Sequence, residues 1–238
     1  MIGYVFYSHF EYSDVWPIMK VQVDKFFKDK RKIFFTNEIG SFDFSDWDVV
    51  LYDDSLPYQK RVAACLEKID DEFVIIHQED MIFTKQPDFN IIENDLLSLV
   101  KNGDLDLIKF CKACYVDRGH VRMGKNLFKN PDNLSYAVQP TLGRKKTIHN
   151  ISNNTLGSSI WRFEANSSNT TNFLNYKSAY YYEGNERKRG MYHWDSSIYP
   201  YLNSGILKGR WDFSMYREEL SELLNDYGVD PLARGVYG

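Results

Sequence analysis

The run Phe73-Val74-Ile75-Ile76-His77 constrains this chain more than any other feature. A strand with no polar side leaves no face for water, so it must be covered on both sides, as strands of a parallel sheet are. Helices supply such covers, and the flanking sequence contains them. Tyr4-Val5-Phe6-Tyr7 reads as a first strand. Ser13 is placed to cap a helix running through Phe27, with Val15, Ile18, Met19, Val23 and Phe26 mainly on one face and Pro17 early enough to be tolerated. Ile33-Phe34-Phe35 and Val49-Val50-Leu51-Tyr52 follow as strands, and Pro57 opens a helix with Val62, Cys65, Leu66 and Ile69 at helical spacing. A helix from Ile91 to Val100 leads through Asn102-Gly103 into a strand from Leu105 to Phe110. This alternation predicts an α/β domain.

After Lys112 the pattern weakens. A polar, Gly- and Asn-rich stretch runs to Asn133, followed by a short strand around Tyr136-Ala137-Val138, a helix from Ser158 to Phe173, an irregular aromatic region and a C-terminal helix from Tyr216 to Asn225. We read residues 1–238 as one domain in two halves, 1–112 and 113–238. A chain of 238 residues buries enough surface to need no staple, and its 3 cysteines, an odd number, argue against a disulfide framework. It has no apolar run of about 18 residues and no signal-peptide pattern at its start, which together set the expectation of a cytoplasmic protein without a transmembrane segment. With 29 Lys and Arg against 33 Asp and Glu and no basic stripe, a dedicated nucleic-acid binder is set aside.

The strongest chemical signal is His77-Gln78-Glu79-Asp80-Met81, directly after the buried strand. Ligands of open α/β sheets sit outside the carboxyl ends of strands, so these acids face a crevice. Adjacent Glu79 and Asp80 suit Mg²⁺, which takes one or two carboxylates and completes its shell with substrate phosphates; they equally suit a capped turn. Asp53-Asp54-Ser55 is a second acidic pair at a strand end. Asp53 can receive a ribose or base hydrogen bond and Arg61 can meet a phosphate, while Asp54 or Ser55 can cap the next helix. The run from Met191 to Tyr201, continuing to Trp211, mixes rings with His193, Asp195 and Lys208 and fits either a sugar-binding groove or a stacked core. Cys111-Lys112-Ala113-Cys114 has CxxC spacing, but only Cys65 remains as a further thiol, too few for a structural zinc.

In their order, these segments resemble GT-A-type glycosyltransferases, and more narrowly small single-domain transferases of bacteria and large DNA viruses. The resemblance spans about residues 3 to 213. It rests on Tyr4 to Tyr7 with Ser8-His9, on Tyr58-x-x-Arg61, on Gln78-Glu79-Asp80-Met81, on Val138-Gln139-Pro140-Thr141, on Ser159-Ile160-Trp161-Arg162-Phe163-Glu164, and on Tyr199-Pro200-Tyr201 through Lys208-Gly209-Arg210-Trp211. It implies a mostly parallel, Rossmann-like sheet flanked by helices, with an irregular acceptor-side second half. The implied reaction moves a sugar from a nucleoside-diphosphate sugar to a hydroxyl of a glycan or other acceptor, with inversion and the help of Mn²⁺ or Mg²⁺. The implied roles are metal binding at Asp80, donor binding at Ser8, His9, Asp53, Arg61, Glu79, His193 and Lys208, and proton removal by Glu164, with Asp195 as second candidate. One departure stands out: the usual motif is D-x-D, and Gln78 occupies the first acid's place. A nucleotidyltransferase on a similar sheet and a non-catalytic carbohydrate-binding module remain as alternatives.

Overall fold

The computed structural model describes residues 1–113, 121–190 and 193–238, the side chain of His193 excepted. Its centre is a nine-stranded sheet in the order β3-β2-β1-β4-β8-β5-β9-β7-β6. The strands are β1 (Ile2–Tyr7), β2 (Lys32–Thr36), β3 (Asp48–Leu51), β4 (Phe73–Gln78), β5 (Leu107–Lys109), β6 (Arg122–Gly124), β7 (Leu127–Lys129), β8 (Thr141–Arg144) and β9 (Ser178–Tyr181). The first four are mutually parallel, as is the β5–β9 pair; β8 runs antiparallel between β4 and β5.

Strand alternation explains both covers. Tyr4, Phe6, Phe34 and Ile75 point to one face, where α1 (Trp16–Phe26) packs Trp16, Met19 and Val23 against them. Val5, Tyr7, Ile33, Phe35, Val74 and Ile76 point to the other, under α2 (Tyr58–Glu67) and α4 (Lys145–Asn154). The first face is dense in rings: Phe34 stacks on Phe44 at 4.1 Å, and Trp16 meets Phe34 edge-on at 5.1 Å. The expected helix after Ile91 begins as a π-helical turn, Ile91–Leu96. It becomes α3 (Leu97–Asn102) and ends at Gly103, whose φ of 77° is the left-handed cap that asparagine-glycine predicts.

The second half departs from expectation in two places. Residues 136–138 form no strand; the strand is β8, a few residues later, and it leads directly into α4, a helix the sequence reading missed. Beyond it come α5 (Ile160–Phe173), capped by Ser159, and the short hairpin of β10 (Lys188–Arg189) and β11 (His193–Trp194). The chain closes with β12 (Ile206–Leu207), β13 (Arg210–Asp212), α6 (Phe213–Asp226), α7 (Pro231–Arg234) and β14 (Val236–Tyr237). Trp211, Tyr216 and Leu220 dock this C-terminal unit onto Val15 just before α1, onto Ile18 of α1 and onto Ile82. Among the described residues no helix is long and apolar enough to cross a membrane.

Candidate active site

Strand order places the site. β1 is flanked by β2 on one side and β4 on the other, so the chain direction away from β1 switches there, and a crevice opens outside the carboxyl ends of β1 and β4. Tyr7 pairs with Gln78, so Ser8 and Glu79 leave the sheet side by side. Ser8 is fully buried, accepts the Trp16 indole N–H at 2.7 Å and lies against the Glu79 carboxyl.

Glu79 is 8% exposed, and Asp80 is half-buried next to it. Burial pushes the Glu79 carboxyl up, the nearby Asp80 adding to the effect; burial likewise raises Asp80. Among the described residues no cation stands within 4.0 Å of either acid. The backbone holds Asp80 in place. Ile206 N–H donates to Oδ2 at 3.3 Å, Gly205 N–H donates to its carbonyl at 3.0 Å, and the Ser204 hydroxyl lies 3.5 Å from Oδ2. Gly205 is required here because a Cβ would stand 2.7 Å from the Asp80 carbonyl oxygen. The donor set fits a hard divalent cation: two adjacent carboxyls whose mutual repulsion such an ion relieves, with too few protein ligands to enclose it. Among the described residues no trio of His, Cys, Asp or Glu could hold a metal alone, so the remaining ligands would be water or phosphate.

Around this pair the predicted residues fall into three groups. His9 and Arg61 come together, but through Asp54 rather than Asp53: His9 Nε2 lies 3.1 Å from Asp54 Oδ2, and the Arg61 guanidinium 2.8 Å from Oδ1. Arg61 also donates to the Leu56 carbonyl at 2.6 Å and lies over the Tyr52 ring. Asp53 instead closes a turn by accepting the Ser55 N–H at 2.9 Å and stands in solvent. Lys208 sits at the exposed tip of the β12–β13 turn, with φ of 52° before Gly209 at 76°, and its ammonium lies 5.1 Å from the Tyr237 ring centre. The cation within electrostatic reach of Glu79 and Asp80 is Arg234 of α7, which pairs with Asp14 and covers Tyr12. The sequence reading missed it. The side chain of His193 lies outside the described residues, as does Cys114.

Glu164 and Asp195 stand in contrasting settings. Glu164, on the second turn of α5, is half-buried; its Oε1 accepts the Val138 N–H at 2.9 Å, and it lies within electrostatic reach of Tyr58, Tyr136 and Lys109. Tyr58 in turn accepts from the Gln78 amide at 3.1 Å, which joins this cluster to the end of β4. Asp195 is gripped by Arg189 Nε at 2.9 and 3.1 Å, with Glu219 on the same guanidinium, and lines a separate cavity of about 540 Å³. The rings of the 199–211 run belong to the core: Tyr199, Tyr201 and Trp211 are at most 3% exposed.

No family model matches the sequence, and no curated protein matches it. Among solved structures the chain is similar to S. aureus TarS (1-349), with 10% identity, 81% of this chain and 60% of that chain covered, and a TM-score of 0.51. It is also similar to the mannosyltransferase PcManGT from Pyrobaculum calidifontis in complex with GDP-Man and Mn²⁺ (10% identity, 74% and 53% covered, TM-score 0.45). A third likeness is to bifunctional IspDF from Campylobacter jejuni (14% identity, 79% and 51% covered, TM-score 0.46). The chain spans 51% to 60% of the length of these proteins. The likeness to TarS and the sheet order define the fold as the expected GT-A, Rossmann-like α/β type.

Proposed function

We propose that this chain is a nucleotide-sugar-dependent glycosyltransferase that moves a sugar from a nucleoside diphosphate to a hydroxyl of a glycan or another acceptor, with inversion. The observation that carries this reading is the Glu79–Asp80 pair at the switch point, Glu79 buried and Asp80 half-buried, with no cation in contact among the described residues. Asp80 and Glu79 would hold Mn²⁺ or Mg²⁺, which when bound supplies positive charge against the departing diphosphate. Ser8, His9 and Arg61 line the β1 side of the crevice, where a nucleoside would lie, and Arg234 adds positive charge beside the acids.

On the acceptor side Glu164 is the base. Its carboxylate takes the proton of the acceptor hydroxyl while that oxygen bonds to the anomeric carbon; the bond from that carbon to the diphosphate breaks, and its electron pair leaves with the diphosphate. The Val138 N–H holds one carboxylate oxygen, which leaves the other for the proton. The test is release of nucleoside diphosphate from a panel of nucleotide sugars, with Mn²⁺ and with EDTA. Metal-dependent release is expected. Consumption of nucleoside triphosphate with sugar 1-phosphate instead would assign a nucleotidyltransferase, and sugar binding without any release a carbohydrate-binding module.

A further inference from the structure

Lys109, at the end of β5, is 3% exposed; its backbone belongs to the sheet ladder, but among the described residues its ammonium has no hydrogen bond and no ion pair within 4.0 Å. A strand position next to Leu107 and Ile108 has no structural need for an ammonium, and burying one without a partner is unfavourable. Polar groups stand near it as well as core residues: Cys111 and Glu164 are within electrostatic reach. Lys109 pairs in register with Thr141, behind the Val138-Gln139-Pro140 segment. The Tyr201 hydroxyl lies 2.8 Å from Gln139 Oε1 and 3.4 Å from Cys111 Sγ, and Glu164 stands within electrostatic reach but beyond contact. The diphosphate end of a substrate belongs to Glu79 and Asp80, so a cation on the Glu164 side faces the sugars themselves.

We propose that Lys109 recognises a carboxylate carried by one of the two sugars that meet at Glu164, so that this enzyme handles an acidic sugar. The inference rests on the transferase reading above. A carboxylate is the anion a sugar carries on its own oxidised carbon, with no added ester, and pairing it with the ammonium removes the penalty that the free protein carries. A site built this way rejects the neutral analogue strongly, because rejection leaves the ammonium buried and unpaired.

The experiment compares kcat/KM for acidic and neutral partners in wild type and Lys109→Met, a variant of similar volume. Donor pairs are UDP-glucuronate with UDP-glucose and GDP-mannuronate with GDP-mannose; acceptor pairs are an aryl glucuronide with the aryl glucoside. Wild type should favour the acidic member of one pair by about 10²-fold. A split in the donor pairs assigns the carboxylate to the transferred sugar, and a split in the acceptor pair assigns it to the acceptor. Lys109→Met should reduce that preference to a few-fold and melt at or above wild type, since an apolar side chain of like size replaces an unpaired charge. Turnover without any acidic preference, or a preference that survives in Lys109→Met, overturns the inference and leaves the transferase intact. A variant that melts many degrees lower marks Lys109 as structural and also overturns it. No diphosphate release from any nucleotide sugar overturns the transferase reading, and this inference with it.

Discussion

The acids at the end of β4 and the acids around Arg189 are both withdrawn from water, and the fold treats them in opposite ways. Asp195 and Glu219 share one guanidinium, itself 9% exposed, so the chain sets a positive charge in direct contact with both. Glu79 and Asp80 are given backbone N–H groups and hydroxyls to fix their position, but no cation in contact among the described residues. An arginine touches both acids of one pair, whereas the other pair has Arg234 at electrostatic reach and, among the described residues, no cation in contact. The cluster around Arg189 ties β10 to α6; the pair after β4, on the proposed function, would take charge from outside.

Glu164 extends the contrast and carries the largest expected effect. Among the described residues one of its oxygens has a partner and the other does not, which suits the base we propose. Glu164→Gln should lower the transfer rate ~10²–10⁴-fold while nucleotide-sugar affinity survives. A variant turning over near the wild-type rate removes the base from Glu164; titration calorimetry with the nucleotide sugar checks the surviving affinity.

Next in size is the compensated cluster. Arg189→Met leaves Asp195 and Glu219 facing each other with no shared cation. Because the two acids retain 28% and 24% exposure, the loss should be about 2–3 kcal/mol, below the ~3–5 of a fully buried broken pair. Urea unfolding measures it, and a loss under about 0.5 kcal/mol would make this cluster no more than a surface pair.

The first half was legible because its information is local. β1 and β4 are unbroken apolar runs, and the acids after β4 follow from the end of that strand. β8 and α4 were not legible: Thr141-Leu142-Gly143-Arg144 is short and polar-ended, and α4 buries only Ile148 and Ile151 among its apolar residues, with Thr147 and Ser152. Asp53 and Asp54 could not be told apart for a similar reason, since only the fold decides which of two adjacent acids turns toward His9 and Arg61. Arg234 reaches the acid pair from more than 150 residues away in sequence, with no local signal for it.

A smaller prediction concerns pH. Buried His77, hydrogen-bonded to Tyr199, has its pKa pushed down to about 3 by desolvation. The unfolded chain therefore binds more protons there, and stability from this group falls as pH drops below about 6.5. Glu79 and Asp80 act with the opposite sign. Their raised values, about 8 and about 6, mean the folded chain holds the extra protons, so metal-free stability falls as pH rises from about 4 toward 8. Because two acids lose their extra protons over the range in which one histidine gains stability, melting of the EDTA-treated protein should be highest near pH 4 and fall toward pH 8.5. Smallest of all, Lys208→Ala removes a contact with Tyr237 worth under about 1 kcal/mol and should leave the melting temperature within a degree or two.

The central claim, that Glu79 and Asp80 are left uncompensated in order to take a divalent cation, is tested most directly by melting the protein at pH 8 with excess Mn²⁺ and with EDTA. Wild type should gain several degrees from Mn²⁺, with the gain shrinking toward pH 6 as the pair takes up protons, and Asp80→Asn should gain none. An equal Mn²⁺ gain in wild type and Asp80→Asn, or no gain in either, would contradict the claim.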